Sequence, residues 1–95
     1  MTPTDLIEVL EKHQSWLSND PRGARANFTL QDLYCSSLKG VRLKGAKMAG
    51  TNLANCDLMH ADLRECDLYG ASLAEADLRM ARLNDSDMRG VILRG

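Results

Sequence analysis

The stretch ADLRECDLYGASLAEADLRM, Ala61 to Met80, is one five-residue phrase written four times. Each pentad reads small residue, polar residue, Leu, then two variable positions. The same register runs unbroken from Ala26 to Gly95, giving fourteen pentads. Their third position is always large and apolar: Phe28 in the first pentad, Met48 and Met88 in two others, and Leu in the rest. A fixed internal period outranks local propensity as a guide to architecture. On a helix, a five-residue step advances 140° beyond a full turn, so these side chains would spiral and form no stripe. On a continuous strand an odd step would point successive leucines to opposite faces. Turning the chain once per pentad puts them all on one side, so each pentad is a short extended piece and a corner.

Within the extended piece the first and third residues point inward together. Thirteen of the fourteen first positions suit a tight interior, and Gln31 is the exception. The second position points outward and is Asp, Asn or Ser in ten pentads. Such side chains hydrogen-bond nearby backbone amides at turns. Six of the seven glycines stand at the fifth position, where a corner needs unusual φ values.

This A-(D/N)-L-x-x phrasing resembles the pentapeptide-repeat family over 70 of the 95 residues. The resemblance implies an all-β solenoid: a right-handed, quadrilateral parallel β-helix with four pentads per coil, here about 3.5 coils. Residues 26–95 are expected to form it. Residues 1–25 are expected to supply a helix and linker, similar to the short helical cap of some members.

The helix is expected over Thr4–Leu17. Thr2, Pro3 and Asp5 form a start signal, with Asp5 reaching back as a capping-box acid. Asn19-Asp20-Pro21 and Gly23 end it. Leu6, Ile7, Leu10 and Leu17 share a face, with His13 between them and Trp16 on the flank. That face is expected to cover the rim of the first coil, Phe28, Leu33 and Leu38, together with the off-pattern Leu30. That face is not rich in Lys or Arg, as a membrane-surface helix would be.

Twelve basic and thirteen acidic residues give a net charge of −1, which argues against a nucleic-acid grip. No apolar run nears the ~20 residues of a membrane span, and no secretory leader is recognisable. Cys35, Cys56 and Cys66 read as reduced thiols in a cytoplasmic protein, and the family resemblance implies a bacterial one. No nucleotide-cradling or nucleophile-elbow motif occurs. His60 and Cys56 point to opposite sides of the wall, so neither a metal nor a cofactor is expected. Asp32, Asp57, Asp62, Asp67, Asp77 and Asp87 stand at the turn-stabilising position and read as structural rather than catalytic.

The expected function is therefore a non-enzymatic protein-interaction module. Stacking at twenty-residue intervals predicts a basic side, with Asp62 laddered between Arg42 and Arg82. The opposite side is flat and sparsely charged: Tyr34, Asn52, Ala54, Ser72, Ala74 and Arg94, the expected partner surface. Met88, Ile92 and Leu93 mark a C-terminal end through which family members commonly dimerise. A second reading also comes from the resemblance. Some family members mimic duplex DNA and modulate DNA gyrase. Those are long acidic rods, whereas this solenoid carries nine acids and nine bases.

Overall fold

A computed structural model describes residues 2–95. Its single helix, α1, spans Pro3–Leu17. The predicted start signal is realised in both directions: Asp5 N–H donates to Thr2 Oγ1 at 3.1 Å, and Thr2 N–H donates to Asp5 Oδ2 at 3.3 Å. These bonds satisfy amides that have no partner within the helix. Asn19, at φ 60°, turns the chain out of the helix. The linker then folds back on it, and Ala24 N–H donates to Lys12 O at 3.0 Å.

From residue 26 onward the chain winds with a period of twenty. All ten β-bridges are parallel and join residue i to i+20, as in Asn27↔Lys47, Asp32↔Asn52 and Ser72↔Ile92. Four pentads therefore make one coil. The coils are 26–45, 46–65, 66–85 and the half coil 86–95, with four faces between corners. The extended pieces are shorter than strands: each pentad contributes one bridging residue, its second, and the next corner begins two residues later.

The pentad 51–55 shows where the five amides go. Thr51 N–H closes the turn onto Met48 O at 3.2 Å. Asn52 N–H bonds Gln31 O in the preceding coil, while Leu53 and Asn55 N–H bond Ser72 O and Ala74 O in the following one. Ala54 N–H donates to the Asn52 side chain at 3.0 Å. An accounting this complete is what buried backbone demands. All six predicted aspartates do what Asn52 does, each accepting from the amide two residues on.

The fifth residue of all fourteen pentads has positive φ, between 58° and 103°. With the bond from the next first residue back to the third-position carbonyl, this gives the corner its type II character. Glycine meets the demand in six pentads. Leu30, Cys35, Asn55, His60, Glu65, Glu75, Met80 and Asp85 meet it in the others. Leu30 is thus a corner residue, 80% exposed and lying over Gly50, and it takes no part under the helix.

Inside, the third-position side chains from Phe28 to Leu73 are buried in one cluster with Ala26, Ala46, Cys56, Ala61, Cys66 and Ala71. Polar first-position residues stay inside by donating across coils. Thr51 Oγ1 donates to Phe28 O at 2.8 Å, Cys56 Sγ to Leu33 O at 3.0 Å, and Cys66 Sγ to Leu43 O at 2.9 Å. Ser86 Oγ makes the same bond to Leu63 O. Gln31 has no such place and is exposed.

α1 lies on the first coil with Leu6, Val9 and Leu10 against the core. Ile7, expected on that face, is 55% exposed, and Val9 takes its place. Spacing explains the exchange: 6, 9, 10 and 13 repeat at three and four residues, whereas 7 lies a full 100° round from 6. His13 is fully buried. Its Nε2 lies 2.8 Å from Lys44 O, and Ala26 N–H donates to its Nδ1 at 2.9 Å.

Candidate functional site

The second face is built from pentads 31–35, 51–55, 71–75 and 91–95. The bridges Asp32↔Asn52 and Ser72↔Ile92, with Asn52↔Ser72 between them, hold its outward second positions in one straight column. Asn52 Nδ2 donates to Asp32 Oδ1 at 3.1 Å, which ties the first two coils side chain to side chain. The adjacent column runs Tyr34, Ala54, Ala74, Arg94. Tyr34 and Arg94 are exposed, Ala54 is half-buried and Ala74 is buried. Two alanines between two long side chains leave a shallow flat between raised ends. Asn55 Nδ2 donates to Tyr34 Oη at 2.8 Å and steadies the ring. The structure thus brings Tyr34, Asn52, Ala54, Ser72, Ala74 and Arg94 onto one face. Cys35 is an exposed thiol at its corner.

On the fourth face, Asp62 bridges Arg42 and Arg82 through the backbone, but its carboxylate pairs elsewhere. Arg64, two residues on, donates Nε to Oδ1 at 2.8 Å and a terminal nitrogen to Oδ2 at 2.7 Å. The expected Arg42/Asp62/Arg82 ladder is replaced by a local fork, because the carboxylate already caps the Arg64 amide and faces along its own chain. Asp77 with Arg79 and Asp87 with Arg89 repeat the device. The guanidinium and then the capped amide hold the carboxyls of Asp77 and Asp87 down at about 2. Asp62 is lowered as well, its fork with Arg64 the first cause.

A groove of about 550 Å³ separates the end of α1 from the fourth face, lined by Trp16, Leu17, Asp20, Lys44 and Glu65 among others. On its fourth-face wall, Lys44 Nζ and Glu65 Oε2 are 3.3 Å apart between neighbouring coils. Trp16 rests on the Gly45 corner and carries the Arg25 guanidinium 5.7 Å above its ring. The sequence reading missed this groove, although Trp16 on the flank of α1 was its one visible sign.

The edge of the last coil is less covered than the first. Leu78, Leu83 and Met88 are half-buried, while Leu93 is 58% and Ile92 45% exposed. The amides of Leu78, Leu83 and Met88 point to where a further coil would lie and have no backbone partner among the described residues.

Burial pushes the Cys66 thiol up to about 11 and raises Cys56 as well, which leaves both poor nucleophiles. Among the described residues no three His, Cys, Asp or Glu side chains converge as metal ligands. No helix there is long and apolar enough to cross a membrane.

The family model for pentapeptide repeats matches residues 36–73 and 56–95, with eight copies. The chain belongs to the pentapeptide-repeat family. A pentapeptide repeat protein from the thylakoid lumen of Arabidopsis thaliana is similar at 31% identity and a TM-score of 0.62, over 76% of this chain and 53% of that one. Rfr23, a pentapeptide repeat protein from the cyanobacterium Cyanothece 51142, is similar at 25% identity and a TM-score of 0.54, over 73% and 61%. This pentapeptide-repeat chain therefore spans 53% and 61% of the length of those two structures. No curated protein sequence matches it.

Proposed function

We propose that this chain is a non-enzymatic interaction module that presents its second face to a protein partner. One observation carries the reading: the Ala54/Ala74 flat between Tyr34 and Arg94, beside an in-register column of bridging residues. A partner surface can approach that flat closely, with an aromatic and an arginine at its rims, the residue types that anchor interfaces. Family membership supports a right-handed, quadrilateral winding of the coils. Three free thiols favour a reducing, cytoplasmic setting.

The test is capture from host lysate with the tagged chain, in parallel with an Ala54→Arg, Ala74→Glu double variant. A stoichiometric partner that is lost from the variant is the expected result. A partner retained equally by the variant rejects this face, and a captured topoisomerase would bring the gyrase reading forward.

The edge carrying Met88, Ile92 and Leu93 is proposed as a second surface, which fits a second copy of the chain. It combines exposed apolar side chains with edge amides that have no backbone partner among the described residues. Sedimentation should show a dimer that Ile92→Asp weakens. A monomer at high concentration would reject it.

A further inference from the structure

We propose that α1 is a pH-released cap: His13 holds it on the first coil only as a neutral imidazole, and protonation lifts the helix off and uncovers the rim of that coil. The geometry fixes one tautomer. Lys44 O can only accept, so Nε2 carries the proton, at 2.8 Å. Ala26 N–H can only donate, so Nδ1 must be bare, at 2.9 Å. A second proton on Nδ1 would set two donors head to head in a place that water does not reach, since the ring is fully buried.

The surrounding groups oppose that proton. On α1 itself the neighbour is the Trp16 ring, with centroids 5.2 Å apart. From the linker comes the positive Arg25. From the first coil comes Lys44, whose ammonium is paired across to Glu65 of the second coil. No carboxylate pairs with the imidazole among the described residues. Burial first, and Arg25 in the same direction, hold His13 below the ordinary histidine value, while the bond to Lys44 acts against them.

A released histidine titrates near 6.5. The docked state therefore binds fewer protons as pH falls through that value. Docking is at full strength above pH 6.5 and weakens below it, by up to tenfold per pH unit until the docked ring itself titrates. Leu6, Val9 and Leu10 are half-buried, and among the described side chains of α1 His13 alone is fully buried. What release exposes is the side of Phe28, Leu33 and Leu38 that α1 covers.

The experiment follows the full chain from pH 8 to pH 5, reading the exchange protection of the Ala26 amide, Trp16 emission and Cys66 thiol reactivity. The comparison is His13→Gln, whose amide offers one donor and one acceptor and does not titrate. Expected below pH 6.5 is a fall in Ala26 protection of up to tenfold per unit and a red shift of Trp16, with Cys66 still unreactive and the variant flat. Constant Ala26 protection, the same transition in His13→Gln, or Cys66 exposure over the same range would each overturn the proposal. Should His13→Gln not fold, the ring ¹⁵N shifts of the wild type decide: a Nε2–H imidazole persisting while Ala26 loses protection would overturn it too.

Discussion

The fifth residue of each pentad carries the conformational demand of this molecule. At Gly40, φ is 69° and nothing lies within 4 Å of an added methyl, so Gly40→Ala tests backbone strain alone. It should lower stability by about 1–2 kcal/mol in a denaturant titration. Met80 accepts the same conformation at φ 62° with an exposed side chain. Asn tolerates that region better, so Met80→Asn should raise stability by about 0.5–1 kcal/mol. The forked aspartates give a second test at this scale. The carboxyls of Asp77 and Asp87 should titrate near 2 by NMR, and Arg79→Ala should return Asp77 towards the ordinary range. Because the folded value is depressed, their contribution is present above about pH 4 and is lost as pH falls towards 2.

At the scale of elements, α1 and its linker act as one cap. Gly23 makes the closest approach among the glycines: a methyl there would collide with the backbone of Ser15 and Trp16. Backbone cannot yield as a side chain tip does, so Gly23→Ala should unseat the linker and with it the helix. Trp16 emission should move to the red while the coils keep their far-ultraviolet signature; unchanged emission would show the linker adjusting instead. The helix itself was legible almost to the residue, because Thr2, Pro3 and Asp5 are local signals. Its buried face was legible only in part. Ile7 and Val9 are both apolar, and the three-and-four spacing of positions 6, 9, 10 and 13 selects Val9. His13 could be read as packing, but not as a bond to two backbone groups of another element.

Across the whole molecule, stability should follow position in the stack. Each coil is buried by its neighbours. Leu63 lies between covered layers and is fully buried, whereas Leu83 is half-buried. Leu63→Ala should cost about 2–5 kcal/mol in chemical denaturation, and Leu83→Ala distinctly less. Equal losses would mean that the edge of the last coil is covered in solution, as end-to-end pairing would do.

The sequence by itself determined the period, the inward and outward positions, the corners and the helix start. All of these follow from relations between residues a few positions apart: an odd step, a small-polar-Leu phrase, an aspartate two residues before an amide. Even the columns of the second face followed once twenty residues made a coil. The tertiary structure alone decided where charges and long side chains settle. Asp62 had Arg42, Arg64 and Arg82 within reach, and the direction of a carboxylate already bound to an amide selected Arg64. Leu30 left the interior because its corner φ turns it outward. The groove beside Trp16 and the seat of His13 exist only where two elements meet, and no pattern within either element encodes the angle at which they do.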